Sequence, residues 1–186
     1  MMRAFSLAEA KGWLGAQCAS GDLASVSFAG VSTDTRTLEP GQLFVALRGE
    51  NFDGHRFLQQ AMDKGAVGLV VDTPDTNLAL PQLVVNDTLE ALARLAAANR
   101  EESTAAILAI TGSSGKTTVK EMCAAILSQM GKTLSTKGNL NNHIGVPLTL
   151  FGLSPEHQYG VIELGASGLG EIAHTVALAK PRVAIL

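Results

Sequence analysis

The chain has 186 residues, of which 46% are hydrophobic and 17% are charged. This composition supplies enough apolar surface for one or two packed domains and argues against a disordered chain. The formal net charge of -3 argues against a nucleic-acid-binding protein, because binding to the nucleic-acid backbone normally requires clustered Lys and Arg. A phosphate group would therefore have to be bound by a local site.

Cysteine and histidine spacing gives no indication of a disulfide framework or a zinc site. Cys18 and Cys123 lie far apart without a nearby partner at metal-ligand spacing, and both are interpreted as buried, small hydrophobic side chains. Glu9 interrupts the N-terminal segment before a signal sequence can develop, and no later run approaches the ~20 apolar residues of a membrane span. We therefore expect a cytoplasmic protein.

Residues 1–84 are predicted to form a small α/β domain. Ser6 and Glu9 have the spacing of a capping box, and apolar residues follow at helical intervals, which predicts a first helix over residues 6–16. Hydrophobic runs and turn residues predict the remaining elements. These are strands at 26–31 and 43–47, a helix at 57–64 closed by Gly65, and strands at 66–71 and 83–85.

The second half of the chain is predicted to be a separate domain over residues 105–186. An Ala- and Leu-rich helix at 87–99 and a polar stretch predict a connecting segment at 85–104. Strands and helices then alternate, which predicts a parallel sheet with right-handed crossovers. The predicted elements are strands at 105–110, 132–135, 159–164 and 182–186 and helices at 119–130 and 171–179.

The last predicted strand ends the chain at Leu186, although the loop after such a strand normally carries ligand contacts in open α/β sheets. We therefore expect a truncated protein with an incomplete sheet. Because unpaired strand edges and exposed apolar faces favour association, the fragment is expected to self-associate or to be marginally stable.

The segment TGSSGKTT, residues 111–118, follows a predicted strand and precedes a predicted helix. Backbone N–H groups and the positive end of a helix dipole can surround a phosphate in this context. The candidate nucleotide contacts are Gly112, Ser113, Ser114, Gly115, Lys116, Thr117 and Thr118. Lys116 supplies a cation for the β- and γ-phosphates, and Thr117 supplies a hydroxyl for Mg²⁺.

This segment matches only the second half of the general phosphate-loop pattern, because Ile110 stands where a first glycine is usual. The alternative is a Ser- and Gly-rich turn at a helix start with an exposed lysine. The strand before the segment and the helix after it favour a nucleotide site.

Glu163 ends an apolar predicted strand, where a carboxylate is costly unless it reaches a cation or the ligand crevice. It is predicted to bind Mg²⁺, and the alternative is a strand-end Glu bonded to nearby loop amides. The run GNLNNHIGVP, residues 138–147, has the composition of a loop that faces a ligand, with a plain turn as the alternative. Its candidate residues are Asn141, Asn142 and His143.

Polar side chains follow two predicted strands of the first domain. Asp34 and Arg36 come after one strand, and Asp53 and His55 come after another. Such groups at strand ends can hold a sugar, a base or a diphosphate. The alternative is a capped turn with a solvated ion pair, since most surface charges are merely solvated.

Taken in order, these motifs resemble the Mur ligase family: STDTR, GQLFVALRG and DGH, then TGSSGKTT, NNHIGVP and ELGASGLGEI. The resemblance covers nearly the whole chain. It implies a small N-terminal α/β domain followed by an incomplete P-loop ATPase domain with a parallel sheet. The residues that it implies at the UDP-sugar end of the substrate are Ser32, Asp34, Thr35, Arg36, Asp53, Gly54 and His55.

The resemblance also implies an ATP-dependent ligase of peptidoglycan synthesis. GSSGKTTVKEM and NLNNHIGVPLTL look like the family member that adds D-alanyl-D-alanine to a UDP-N-acetylmuramoyl-tripeptide through an acyl phosphate. Lys116 is then the catalytic lysine, ATP and Mg²⁺ are the cofactors, and Thr117 and Glu163 hold the metal. The implied asparagine-rich contacts to the nucleotide are Asn141, Asn142 and His143.

The family's later segments include a metal-binding histidine and a closing C-terminal domain, which have no counterpart in these residues. This chain alone is therefore expected to be inactive. Two alternatives remain open at this point: the family member that adds the third amino acid of the peptide, and a non-catalytic nucleotide-binding module.

Overall fold

The computed structural model describes residues 2–18, 23–49 and 52–186, which fold into two compact units. Arg3–Leu95 forms the first unit, and Ala96–Leu186 belongs to the second. Each unit contains parallel strands together with helices, so the predicted α/β class is confirmed. Within the described ranges, no helix has the length and apolar character required to span a membrane.

Short strands and helices make up the first unit. In chain order they are β1 (Phe5–Ser6), α1 (Leu7–Leu14), β2 (Gln17–Cys18), β3 (Ser27–Phe28), β4 (Val31–Ser32), β5 (Leu43–Val45), β6 (Arg48–Gly49), β7 (Phe52–Asp53), α2 (Leu58–Asp63), β8 (Gly68–Val71) and β9 (Gln82–Val84). A 3₁₀ turn (Gly54–Phe57) leads into α2. Helix α3 (Thr88–Glu101) crosses the division between the units, inside the predicted connecting segment 85–104.

Local hydrogen bonds set the start of α1, as the capping-box spacing predicts. Ser6 Oγ accepts the N–H of Glu9 at 3.2 Å, and the Glu9 carboxylate accepts the N–H of Ser6 at 2.7 Å. The Ser6 backbone N–H lowers the pKa of Glu9. Gly15 ends the helix with φ 61°, a left-handed conformation that costs glycine little, so α1 is shorter than the predicted 6–16.

The main sheet of the first unit has five strands in the order β2-β9-β8-β5-β4. β4, β5, β8 and β9 run parallel, and β2 is antiparallel to β9. Residues 26–31, predicted as one strand, form two strands because the chain changes partner: β3 pairs with β1, and β4 joins the main sheet. One buried cluster of this unit is formed by Leu38, Phe44, Ala46, Leu58, Ala61, Ala66, Leu69, Val71 and Leu78.

The second unit is a parallel α/β sheet. Its elements are β10 (Ala106–Ile110), α4 (Lys116–Ser128), β11 (Thr133–Ser135), α5 (Gly145–Leu150), β12 (Tyr159–Glu163), α6 (Glu171–Ala179) and β13 (Val183–Ile185). The strands lie in the order β11-β12-β10-β13. Helix α4 connects β10 to β11, and helix α6 connects β12 to β13, so the two connections run in opposite directions along the sheet. Because both crossovers are right-handed, the two helices lie on opposite faces of the sheet. The carboxyl ends of β10 and β12 therefore flank a switch point where open sheets bind ligands.

The predicted elements of this unit are present, and α6 has the predicted bounds. Helix α5 is missed, because the composition of residues 138–147 predicts a loop. Gly145 starts α5 against the Leu140 backbone, where a Cβ would lie 2.4 Å from Leu140 Cα. Pro147 is compatible with this helix because a proline in the first turn lacks an N–H that has no helical partner.

The two cysteines are less buried than predicted. Cys18 and Cys123 are both partly exposed. Cys18 ends β2, which lies at the edge of its sheet. Cys123 lies at the margin of the packing face of α4, against the cluster that contains Ile110 and Val161. The interpretation of both cysteines as buried side chains is therefore wrong, because both are partly exposed.

Two side chains near the end of α3 anchor that helix in the second unit. The buried Asn99 amide donates to the carbonyl oxygens of Leu150 at 2.9 Å and Leu153 at 3.2 Å. Arg100 Nε donates to the carbonyl oxygen of Ala179 at 2.8 Å. These bonds add side-chain donors to the last carbonyl groups of α5 and α6 and to the Leu153 carbonyl in the turn after α5.

Replacing Asn99 by Ala is expected to lower the free energy of unfolding by about 1–3 kcal/mol, because the Leu153 carbonyl group loses its side-chain donor and the Leu150 carbonyl group keeps only the N–H of Leu153. Urea unfolding of the purified chain measures this change. Asn86→Ala, at an exposed position, is the control and should shift the stability by less than about 0.5 kcal/mol. Equal stability of the two variants would contradict the anchoring role of Asn99.

Candidate functional site

A tight loop joins β10 to α4 at residues 111–115. Gly112 (φ 136°) and Gly115 (φ 74°) adopt backbone conformations that other residues rarely adopt. Lys116 is the first residue of α4, and its Nζ donates to the carbonyl oxygen of Gly112 at 2.7 Å. The loop thus presents backbone N–H groups, a helix N-terminus and a lysine at one place. This arrangement suits a phosphate group.

Ile110 occupies the position at which the general phosphate-loop pattern has its first glycine. It is the last residue of β10, is 1% exposed, and packs with Ala124 and Val161 in the core cluster of this unit. Because a buried isoleucine fills this position, the turn is made by the residues that follow it.

The Glu163 carboxylate lies at the carboxyl end of β12, directly beside the end of β10. Glu163 is paired with Ile110 in the strand register and is 2% exposed. Its Oε2 accepts the hydroxyl of Thr117 at 3.0 Å, and its Oε1 accepts the amide of Asn141 at 2.8 Å. In the described part of the chain, no Lys, Arg or His forms an ion pair with it. Both interpretations of Glu163 therefore find support, since its donors are neutral and its charge is uncompensated.

The oxygens of Thr117 and Glu163 fit a magnesium site. Adjacent oxygen ligands of Mg²⁺, each about 2.1 Å from the ion, lie about 3.0 Å apart in an octahedron. Thr117 Oγ1 and Glu163 Oε2 are separated by 3.0 Å. The described residues contain no group of three or more His, Cys, Asp or Glu that could hold a metal. A site with one carboxylate and one hydroxyl suits Mg²⁺, which usually keeps water and phosphate oxygens as its other ligands.

The asparagine-rich segment is divided between two roles. Asn141 reaches Glu163, and its backbone carbonyl accepts the N–H of Gly165 at 2.8 Å. Asn142 instead accepts the N–H groups of Ile144 at 3.1 Å and Gly145 at 2.8 Å, so its side-chain oxygen caps the start of α5. The structure thus brings Asn141, but not the Asn142 oxygen, to the carboxylate.

The remaining predicted nucleotide contacts lie around the loop. Ser113 and Ser114 lie between the two loop glycines, Thr118 lies in the first turn of α4, and all three are exposed. His143 is partly buried and precedes α5. These positions leave the side chains of Ser113, Ser114 and Thr118 accessible to a ligand of the loop.

Sequence reasoning missed two buried residues behind the carboxylate. Lys120 is 1% exposed, and its Nζ donates to the carbonyl oxygen of Thr136 at 2.8 Å. The hydroxyl of Thr136 accepts the backbone N–H of Glu163 at 2.9 Å. A signal was present, because Lys120 follows Lys116 by one helical turn and so lies on the same side of α4.

In the first unit, Asp34 and Arg36 form an ion pair within one turn. Arg36 Nε lies 3.0 Å from each carboxylate oxygen of Asp34, and Arg36 Nη2 lies 2.6 Å from Asp34 Oδ2. The Arg36 side chain holds the pKa of Asp34 below its ordinary value. Ser32 Oγ is bonded to the Asp34 backbone, and Thr35 Oγ1 donates to Gln60 Oε1 at 2.8 Å. The structure thus contains the ion pair and capped turn of the alternative interpretation.

A second polar cluster joins β6, β7 and the end of β8. His55 Nδ1 lies 2.9 Å from Asp53 Oδ1, and the N–H of Asp72 donates to His55 Nε2 at 3.3 Å. Asp72 Oδ1 also lies 3.3 Å from His55 Nε2, so the ring lies between two carboxylates. The backbone N–H of His55 lowers the pKa of Asp53. Arg48 Nε pairs with Asp72 Oδ2 at 2.9 Å.

Arg48 and Asp72 of this cluster were not predicted from the sequence, because their pairing depends on the sheet and not on sequence spacing. Gly54 has a packing role: its N–H donates to the carbonyl oxygen of Leu47 at 2.8 Å, and a Cβ would lie 2.9 Å from that oxygen. Gly54 therefore allows the close approach that places Asp53 and His55 together.

Comparison with protein families identifies two matching models. The model described as Mur ligase family, catalytic domain, matches residues 27–100, and the model described as Mur ligase middle domain matches residues 110–186. The two matches follow one another along the chain and leave little of it outside them.

Among curated proteins, the chain is similar to the UDP-N-acetylmuramoyl-tripeptide--D-alanyl-D-alanine ligase of Escherichia coli (strain K12). The two are 56% identical over 163 residues, which cover 88% of this chain and 36% of that protein. The chain therefore spans about a third of the length of this relative.

Two solved structures have the same fold over most of the chain. The UDP-N-acetylmuramoylalanyl-D-glutamyl-2,6-diaminopimelate--D-alanyl-D-alanyl ligase from Acinetobacter baumannii has a TM-score of 0.91 and 40% identity, covering 98% of this chain and 41% of that one. A MurF ligase from Thermotoga maritima in complex with ADP has a TM-score of 0.74 and 31% identity, covering 82% of this chain and 35% of that one.

Replacing Arg36 by Ala is expected to raise the pKa of Asp34 towards its ordinary value, because the side-chain hydrogen bonds that favour the carboxylate are lost. A carboxyl group with a lower pKa in the folded state than in the unfolded state stabilises the fold at pH values above its unfolded-state pKa. This stabilisation is lost as the pH falls through the folded-state pKa. NMR titration of the Asp34 carboxyl group measures the change. Arg56→Ala is the control and should leave this pKa in place, whereas an unshifted pKa in Arg36→Ala would contradict the pairing.

Proposed function

Because the chain belongs to the Mur ligase family, we propose that it is part of the ATP-dependent ligase that joins D-alanyl-D-alanine to a UDP-N-acetylmuramoyl-tripeptide. The identity to the Escherichia coli ligase of that name supports this choice within the family. The reaction would take place in the cytoplasm and supply peptidoglycan precursors for cell-wall growth and cell division.

One observation carries the nucleotide part of the proposal: the Thr117 hydroxyl of the phosphate loop meets the buried Glu163 carboxylate at 3.0 Å. A glycine-rich turn alone can be a simple helix start. A buried, uncompensated carboxylate beside that turn attracts a cation, and a cation there lies next to any phosphate on the loop. The complex of the Thermotoga maritima relative with ADP is in keeping with this assignment.

ATP, when bound, supplies the phosphoryl group that activates the substrate carboxylate for attack by the amine of D-alanyl-D-alanine. Lys116 and the loop N–H groups neutralise phosphate charge and align the phosphates for transfer. Thr117 and Glu163 hold the magnesium ion, and Asn141 orients the Glu163 carboxylate. The residues of this chain therefore act by charge neutralisation and alignment, and the reaction requires no protein nucleophile.

We place the UDP end of the substrate in the first unit, at residues 32–36 and 53–55. Asp34 orients the Arg36 guanidinium, yet 86% of the Arg36 side chain is exposed. Its outward N–H groups are therefore available to an anionic diphosphate. Ser32 and Thr35 are buried and bonded within the unit, so their role is to shape the turn that carries Arg36.

Lys116→Ala in the complete ligase is expected to lower the rate of amide formation by about 10²–10³-fold, since one preorganised charge at the transferred phosphoryl group is lost. Binding of the UDP-muramoyl peptide should be nearly unchanged, because the proposal places the UDP end of that substrate in the first unit and not at Lys116. Phosphate release and product formation with all three substrates measure the rate. The control is Lys132→Ala, which removes an exposed lysine directly before β11.

A wild-type rate in Lys116→Ala would exclude the loop as the phosphoryl-transfer site. Equal losses in Lys116→Ala and Lys132→Ala would show a general effect of removing a lysine from this unit. Loss of UDP-peptide affinity in Lys116→Ala would contradict the assignment of UDP binding to the first unit.

Arg36→Ala is expected to weaken binding of the UDP-muramoyl peptide by about 1.5–3 kcal/mol, the typical value of a hydrogen bond to a charged group. Isothermal calorimetry in the absence of ATP measures this affinity directly. Arg56→Ala removes an exposed arginine in the 3₁₀ turn Gly54–Phe57 and is the matched control. An unchanged dissociation constant in Arg36→Ala would move the UDP site away from this turn.

A further inference from the structure

We propose that Lys120 and Thr136 are positioning residues that fix Glu163 for metal binding. The inference rests on the proposed function, because it assigns the two residues to the magnesium site of that reaction. The Lys120 amine is bonded to the Thr136 carbonyl oxygen, and the Thr136 hydroxyl is bonded to the Glu163 N–H. Both act on Glu163 through the backbone at the ends of β11 and β12.

The pattern of backbone hydrogen bonds between β11 and β12 changes at Thr136. The strands pair regularly from Thr133 with Tyr159 to Ser135 with Val161, and the N–H of Thr136 still donates to Val161 O at 3.0 Å. In a regular parallel ladder the next bond would join the N–H of Glu163 to the carbonyl oxygen of Thr136. The N–H of Glu163 instead donates to the Thr136 hydroxyl oxygen at 2.9 Å.

Lys120 accounts for this change, because its Nζ donates to the Thr136 carbonyl oxygen at 2.8 Å. The lysine removes that acceptor from the ladder, and the Thr136 hydroxyl takes its place. The Lys120 side chain is only 1% exposed, and Glu121 Oε1 lies 2.7 Å from its Nζ as a counter-charge. Burying an ammonium group is costly. A residue that served only to fill this space could be apolar, so the amine is assigned to holding the end of β11.

The departure of β11 from the ladder brings the asparagine-rich segment to the carboxylate. After Thr136 the chain leaves the sheet, and Asn141 returns with its amide 2.8 Å from Glu163 Oε1. The carbonyl oxygen of Asn141 also accepts the N–H of Gly165 at 2.8 Å. Glu163 is thus held at its backbone by Thr136 and at its carboxylate by Thr117 and Asn141.

The test compares ADP binding by the chain in Mg²⁺ and in excess EDTA. The ratio of the two dissociation constants reports the contribution of the metal. Thr136→Val, which removes the hydroxyl acceptor, is expected to reduce this ratio by about 10-fold, a typical effect of losing a group that orients a metal ligand. The affinity in EDTA should be unchanged, because the phosphate loop remains intact.

Matched variants separate positioning from general stability. Thr136→Ser keeps the hydroxyl and should retain the wild-type ratio. Thr133→Val removes a hydroxyl from the same strand, where it donates to Gly131 O, and should also retain that ratio. Lys120→Met should reduce the ratio as Thr136→Val does, with the exposed Lys132→Met as its control.

Several results would overturn the positioning role. One is a wild-type ratio in Thr136→Val, and another is an equal loss of affinity in Mg²⁺ and in EDTA together with a lower melting temperature. A reduced ratio in Thr133→Val would have the same meaning. If the wild-type chain binds ADP no better in Mg²⁺ than in EDTA, the metal site of the proposed function fails as well. A failure confined to the variants overturns only the role of Lys120 and Thr136.

A second measurement uses only the wild-type chain and does not depend on the folding of a variant. The backbone N–H of Glu163 should exchange slowly with solvent in the wild-type chain, as slowly as its strand neighbour Ile162, because it is bonded to Thr136. NMR-detected hydrogen exchange measures both. Exchange of the Glu163 N–H at the rate of an exposed amide would overturn the proposal, whatever the stability of the Thr136 variants.

Discussion

The buried carboxylate of Glu163 is the group on which the second unit depends. It receives the Thr117 hydroxyl from α4 and the Asn141 amide from the segment after β11, while its own N–H donates to Thr136. A carboxylate that is 2% exposed is costly unless donors surround it. The phosphate loop, α4 and the asparagine-rich segment are therefore constrained together by the end of β12. The glycines of the loop permit its shape, but this carboxylate fixes where the loop lies.

The charges of this site are kept apart from one another. Lys116 donates to the neutral carbonyl of Gly112, and Glu163 accepts from the neutral groups of Thr117 and Asn141. Neither charge is neutralised by an ion pair within the described residues. A cation and an anion that do not pair with each other can bind a phosphate and a metal ion, respectively. This separation suits phosphoryl transfer, in which the protein contributes alignment and charge stabilisation.

The first unit has the opposite organisation. Asp34 pairs with Arg36, and Arg48 pairs with Asp72, so its charged groups largely compensate each other. The neighbouring His55 lies between the carboxylates of Asp53, 2.9 Å from Nδ1, and Asp72, 3.3 Å from Nε2, and these contacts orient its ring. Such pairs contribute little to stability when they are exposed, but they reduce the number of conformations of long side chains. The ion pair with Asp34 thereby limits the orientations of the exposed Arg36 guanidinium.

The sequence by itself determined the features that depend on near neighbours: the capping box of Ser6 and Glu9, the bounds of α6, and the loop glycines before Lys116. These follow from backbone geometry and hydrogen bonds over a few residues, so their spacing predicts them. Tertiary structure alone decided the contact of Lys120 with Thr136, which are 16 residues apart in the chain. Thr117 and Glu163, which are 46 residues apart, were expected together only from the family resemblance, and the fold decided their hydrogen bond. Those contacts depend on strand order, on the register of β11, β12 and β10, and on which acceptor a buried amine reaches. Spacing along the sequence carries no information about these quantities, because they are fixed only when the strands pair and the helices pack.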